Sequence, residues 1–192
     1  MVSPSRDAMR YVIRPHDLAL HLFEVELMVA LPAPEGQRLS LPAWIPGSYM
    51  IRDFARHIVQ IRAESAGKAV RLKKLDKQSW QAAPCSGPLL VRYQVYAWDL
   101  SVRAAHLDQT HGFFNGTSVF LQVYGQESVP HVVEILPPQG DAYADWRVAT
   151  AMTELKAKRH GFGSYVAQNY DELIDHPVEI GEFNLLRFSA HG

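Results

Sequence analysis

The chain has 192 residues, 47% hydrophobic and 20% charged, the balance of an ordinary folded domain long enough to bury a substantial core. A formal net charge of -1 argues against a non-specific nucleic-acid binder, which needs a basic face to displace phosphate counterions, and Lys73-Lys74 is too small a patch to reverse that. Cys85 is the only cysteine, which rules out an intrachain disulfide and a cysteine-rich zinc site and favours a reducing compartment.

The first fifteen residues are polar with no apolar leader region, and no run approaches the length of a membrane span, so the sequence predicts a soluble, cytoplasmic protein. Period-2 alternation then dominates. After a short strand at 10–14, His21, Phe23, Val25, Leu27, Val29 and Leu31 share one face while Glu24 and Glu26 take the other. A short strand at 38–41 follows. Next, Val59, Ile61 and Ala63 oppose Gln60 and Arg62, with further short strands at 69–72 and 79–82. Leu89, Val91, Tyr93, Val95 and Ala97 oppose Arg92 and Gln94, and Val119, Leu121 and Val123 oppose Ser118 and Gln122. Strands at 131–136, 146–152 and 184–188 complete the set. Helical periodicity is confined to 165–174, where Asn169 or Ser164 can cap a short helix that Pro177 closes. The prediction is all-β: an antiparallel β-sandwich of about ten strands with one short helix near the C-terminus, residues 1–192 forming a single domain.

The densest segment is Trp44 to His57, WIPGSYMIRDFARH. Pro46-Gly47 suits the centre of a type II turn, Pro setting φ at the first position and Gly supplying positive φ at the second. Tyr49 follows on a fixed bend, Arg52 and Asp53 put a forked donor beside an acceptor, and Arg56 and His57 add two polar heads. Such a segment recognises something or braces a loop onto the sheet. Farther on, Phe113 and Phe114 precede Asn115-Gly116, a hairpin signal, and either face solvent or plug one end of the sandwich.

Catalytic signatures are missing. No two of the nine histidines lie four apart, so the His-Glu-x-x-His helix of zinc peptidases is absent. His106, Asp108 and His111 are the one tight cluster of ligand types, with no second carboxylate at ligand spacing. No Gly-x-Ser-x-Gly elbow occurs, Cys85 has no adjacent base, and Gly161-Phe162-Gly163 lacks the strand-to-helix context of a phosphate loop. Asp175, His176 and Glu179 form an acid-base grouping, but Pro177 breaks the helix and Val178 and Ile180 begin a strand whose outward residue is Glu179, so the structural reading leads. The expectation is therefore no catalytic, cofactor-binding or metal-binding residue in this chain.

With the 44–57 segment, the strand ending His21-Leu22-Phe23-Glu24-Val25, the Phe114-Asn115-Gly116-Thr117 run and Tyr170-Asp171-Glu172-Leu173-Ile174-Asp175-His176-Pro177-Val178-Glu179-Ile180-Gly181, the chain resembles the N-terminal domain of the glycyl aminopeptidase family, zinc metallopeptidases that usually also carry a PDZ domain. The resemblance covers almost the whole length. It implies a β-rich accessory domain ahead of a thermolysin-like catalytic domain, with zinc, its ligands and the PDZ module beyond this chain. Its partner is then the downstream catalytic domain, which acts on peptides. By analogy with related aminopeptidases, Tyr49, Arg52, Asp53, Phe114 and Asn115 are candidate substrate-cleft or interface residues. A different class, a stand-alone carbohydrate- or protein-binding sandwich, would use Trp44, Tyr96 and Trp98 as stacking platforms.

Overall fold

A computed structural model describes residues 8–45, 47–48 and 50–188. Sixteen strands run through them in chain order: β1 (Met9–Asp17), β2 (Leu22–Val29), β3 (Arg38–Ser40), β4 (Ile58–Ser65), β5 (Lys68–Val70), β6 (Leu72–Lys74), β7 (Ser79–Ala82), β8 (Leu89–Tyr96), β9 (Ala105–Leu107), β10 (His111–Phe114), β11 (Gln122–Val123), β12 (His131–Ile135), β13 (Arg147–Thr150), β14 (Thr153–Glu154), β15 (Gly163–Ala167) and β16 (Val178–Gly181). Two short helices, α1 (Gly116–Val119) and α2 (Tyr170–Asp175), interrupt them. The all-β expectation holds. Among the described residues no helix is long and apolar enough to cross a membrane.

The long alternating runs build an eight-stranded sheet in the order β14-β15-β12-β1-β2-β8-β4-β5, with only the β1–β12 pair parallel. Two four-stranded sheets, β13-β16-β10-β9 and β11-β3-β7-β6, pack with it around one continuous core. Phe23 of the large sheet meets Phe114 of β10 edge-on, with ring centroids 5.5 Å apart. Period 2 decides which residues enter that core: Phe23, Val25, Leu27 and Val29 are fully buried, and the intervening Glu24 and Glu26 face outward. Outside, Arg92 bridges Glu26 at 3.0 Å and Glu64 at 2.9 Å across three strands.

Local reading fails where tertiary context overrides it. A register shift between Ile58 and Gln60 turns Val59 out, leaving it 58% exposed. Asn115-Gly116 makes no hairpin: the Asn115 side chain accepts the Thr117 N–H and opens α1. Gly116 is required there by proximity, since a Cβ would sit 2.8 Å from both the Ile174 Cα and the Leu173 carbonyl of α2. The expected strand at 119–123 is reduced to β11, because Val119 finishes α1. Residues 165–167 belong to β15, so the C-terminal helix starts only at Tyr170, where Asn169 caps it by accepting the Glu172 N–H at 2.8 Å. Residues 184–188 pair with nothing and form no strand; Leu186 and Phe188 are almost fully exposed.

The turn out of α1 leaves consecutive carbonyls in the core without a ladder partner, and three buried tyrosines supply the missing donors. Tyr93 donates to Val119, Tyr170 to Phe120 and Tyr11 to Leu121, each at 2.7 Å, while the Tyr93 oxygen also accepts the Leu121 N–H at 3.2 Å. Burial raises all three phenols above their ordinary pKa, so each remains a donor across the physiological range. Tyr→Phe at any of the three strands a buried carbonyl and should lower stability by about 1–3 kcal/mol, with Tyr93 the costliest because it serves two groups. Denaturant titration of the three variants checks the order.

His131 is fully buried between the rings of Tyr11 and Tyr170; its Nδ1 donates to the Val129 carbonyl at 2.7 Å and its Nε2 has no partner among the described residues. Burial lowers its pKa, against smaller upward pulls from the Val129 bond and Glu127. A depressed histidine pKa means the unfolded chain takes up a proton that the folded one refuses, so stability falls as pH drops below about 6.5. His131→Phe should flatten this acid-side loss between pH 7.5 and 5.5, leaving a remnant from His57, whose pKa burial also lowers. Melting temperatures at the two pH values read the difference.

Candidate functional site

Residues 50–57 form one side of a cleft. Gly47 has φ 78°, and the Ser48 N–H returns to the Ile45 carbonyl at 3.1 Å, the closure a Gly at the third turn position permits. Tyr49 and Pro46 lie outside the described residues. The Arg52 N–H donates to the Ala43 carbonyl at 2.7 Å, folding the segment back on itself. Asp53 then takes φ 47°, a left-handed conformation that Asp tolerates, and starts the 3-10 turn Phe54–His57. Phe54 and Ala55 are buried and anchor that turn to the core.

Asp53 and Arg52, expected to pair, do not: the Asp53 carboxylate faces Lys77 at 3.3 Å. The Arg52 Nε is buried with no partner among the described residues. Beside it, the Arg56 Nε donates to the His57 Nε2 at 3.1 Å. Burial and the Arg56 charge lower the His57 pKa, against an upward pull from Asp99, and a neutral imidazole is the form that can accept that bond.

The opposite wall is the loop 99–104, which closes on itself through Ala104 N–H to the Ser101 carbonyl at 3.2 Å. It is tied to α1, because the Ala104 carbonyl accepts the Asn115 N–H at 2.9 Å and the Ser118 hydroxyl at 3.1 Å. Between the walls lies a cleft of about 160 Å³ lined by Met50, Ile51, Arg52, Phe54, Arg56, His57, Asp99 and Ala104. A narrow inner extension reaches Tyr96, Trp98 and Ser118. Large apolar side chains near it are open to solvent: Met50 and Ile51 line the cleft, Leu100 and Val102 belong to the 99–104 loop, and each is more than 60% exposed. The larger hollow of about 260 Å³ on the outer face of the eight-stranded sheet is a different environment, where Arg14 pairs with Glu24 beside Glu26 and Glu134 and the lining is net acidic.

Of the five residues nominated from sequence, Arg52 lines the cleft and Asp53 stands at its edge facing Lys77. Phe114 and Asn115 are corrections. Phe114 is fully buried against Phe23 and Phe120, and Asn115 is spent capping α1, so both shape the site from beneath. Sequence reasoning missed Asp99 and Ala104, which carry no local motif and reach the cleft only through loop closure. Trp44 and Trp98 are about half exposed, but Trp98 already stacks on His21 at 3.8 Å and on His106 at 4.9 Å.

His106, Asp108 and His111 do converge, with ligand atoms within 4.8 Å of one another. Their donor set is committed elsewhere. The Asp108 Oδ1 accepts the Thr110 N–H at 2.6 Å, the Thr110 hydroxyl at 2.7 Å and the His111 N–H at 3.0 Å, while the Oδ2 faces the His106 Nε2 at 3.2 Å. The other nitrogen of His106 is buried without a partner among the described residues, whereas a metal-bound imidazole hands its remaining N–H to an acceptor. These residues brace the turn into β10 and do not fit a zinc ion. His176 likewise spends its Nδ1 on the Glu172 carbonyl at 2.7 Å, and Glu179 stands opposite Phe113 on β16, so no acid-base pair forms there.

Sequence and structure comparison identifies the relatives. The peptidase M61 N-terminal domain family matches residues 10–182. The chain belongs to that family. Its fold superposes on an aminopeptidase N family protein from Idiomarina loihiensis with a TM-score of 0.91 and 47% identity, covering 96% of this chain and 31% of that one. An M1 zinc metallopeptidase from Deinococcus radiodurans shares the fold at a TM-score of 0.51 and 11% identity, over 91% of this chain and 41% of that one. No curated protein sequence matches. This M61 N-terminal domain thus spans about a third of the length of the Idiomarina protein.

Within the domain the Asp108 brace has a measurable signature. Burial pulls the Asp108 carboxyl upward, but the Thr110 and His111 N–H groups, the Thr110 hydroxyl and His106 outweigh it and hold the group well below the usual carboxylate range. A depressed carboxyl pKa contributes stability above the unfolded value of about 4 and loses it as pH falls through the folded value. The stability gap between wild type and Asp108→Asn should therefore be widest near pH 7 and shrink below about pH 4, as read by urea titration at both pH values.

Proposed function

We propose that this chain is the non-catalytic N-terminal domain of a zinc-dependent aminopeptidase of the glycyl aminopeptidase kind, a cytoplasmic enzyme whose catalytic and PDZ domains lie on the same polypeptide. It packs on the catalytic domain and helps wall the substrate cleft. The family membership and the Idiomarina match support the lineage. The observation that carries the docking role is a set of exposed large apolar side chains: Met50 and Ile51 line the cleft, Leu100 and Val102 belong to the 99–104 loop whose ends also line it, and all four are open to solvent. A domain with an extensive core of its own has no folding reason to expose them together, and an interdomain contact gives them one.

The division of labour follows from chemistry. An aminopeptidase must close its cleft beyond the substrate's amino end so that internal peptide bonds do not enter productively, and a rigid β-domain serves as such a wall. Zinc supplies the Lewis acid and activated water from the catalytic domain, and no residue of this chain ligates it. Arg52 and Asp53, with Tyr49 beside them in sequence, are the proposed contributors to the cleft or interface.

The reading is tested by placing a charge among these side chains. Ile51→Asp should leave the melting of the isolated domain within about 0.5 kcal/mol of wild type, as exposed substitutions do. In the full-length peptidase the same change should split one cooperative unfolding transition into two and lower kcat/KM. Calorimetry showing a single unshifted transition with unchanged turnover overturns the docking role.

A further inference from the structure

The polar side chains at the base of the cleft are unbalanced. Arg52 and Arg56 both line it, and the one carboxylate among its lining residues is Asp99, which lies beside His57. Asp53, the acidic neighbour of Arg52 in sequence, is turned away onto Lys77 at 3.3 Å. The Arg52 Nε is shielded from solvent and bonds to nothing among the described residues, which leaves the terminal N–H groups of this cleft-lining guanidinium to meet a ligand. Arg56 is already oriented, its Nε committed to His57 at 3.1 Å, which leaves its terminal N–H groups to serve the cleft.

Two guanidiniums against one carboxylate, floored by Phe54 and Ala104, describe a receiver for a small planar anion with a short apolar extension. About 160 Å³ is room enough for a carboxylate and the residue that bears it. We propose that this cleft is a carboxylate-binding site that receives the C-terminal carboxylate of a short peptide through Arg52 and Arg56. The peptide source rests on the aminopeptidase reading above, whereas the carboxylate chemistry rests on the cleft alone.

The test uses the 192-residue chain and two probes, N-acetyl-Ala-Ala as the free acid and as its C-terminal amide, titrated at low ionic strength by calorimetry or by backbone amide shifts. The acid should bind at least tenfold more tightly than the amide. Arg52→Gln should reduce the acid to the level of the amide, and Arg52→Lys should recover only part of the preference, because an ammonium cannot make the forked pair of bonds. Circular dichroism and melting checks that each variant is folded, and Arg56→Gln gives an independent reading should Arg52→Gln not fold. Equal binding of acid and amide, binding of neither, or a preference untouched in both glutamine variants overturns the site. If that happens while Ile51→Asp still uncouples the full-length enzyme, the carboxylate site is wrong and the docking role stands. A carboxylate preference without uncoupling keeps the site and removes the docking role.

Discussion

Three buried phenols hold this domain to its topology. Where the chain leaves α1, the carbonyls of Val119, Phe120 and Leu121 enter the core without strand partners, and Tyr93, Tyr170 and Tyr11 bring one hydroxyl to each at 2.7 Å. The donors come from β8, α2 and β1, so a single three-residue stretch joins two strands of the large sheet and the C-terminal helix. Unpaired buried carbonyls carry a desolvation penalty comparable to a lost hydrogen bond, and no neighbouring strand is placed to remove it. The close approach of Gly116 to the Leu173 carbonyl and the Ile174 backbone reinforces the same junction from the other side.

The functional surface inherits its geometry from that junction. Once α1 is fixed, Ser118 and Asn115 hold the Ala104 carbonyl, and with it the 99–104 loop that forms one wall of the cleft. The other wall is independent, a turn at Gly47, a fold-back bond from Arg52 to Ala43 and the buried anchor Phe54. Loops placed by rigid elements are where a β-scaffold can present polar groups without disturbing its core. Here the arrangement lines the cleft with two guanidiniums and leaves large apolar side chains exposed nearby, a division that suits a polar ligand inside and a protein surface around it.

The aromatic and imidazole stack of His21, Trp98, His106 and His111 shows how a cluster of ligand-type residues can be structural. Asp108 gathers the N–H groups of its own turn, and the imidazoles complete its shell. Spacing brings such residues together on a strand and its turn; which bonds they then make depends on what else surrounds them.

Alternation in the residues 21–31 and 89–97 was legible as half-buried strand from composition alone, because period 2 is a property of the extended backbone and needs no partner to appear. The same holds for the Asn169 cap and the positive φ at Gly47, each written in a few adjacent residues. What neighbours in space decide could not be read that way. A bulge turned Val59 outward, close packing against α2 made Asn115-Gly116 a helix start in place of a hairpin, and burial withdrew Phe114 from any surface role. Arg52 was visible as a candidate, but its unpaired Nε, the diversion of Asp53 to Lys77 and the arrival of Asp99 across the cleft exist only after loops far apart in sequence close on one another. Local periodicity reports which face of an element is apolar; pairing, register and loop closure are long-range contacts, and they alone determine which polar groups remain available.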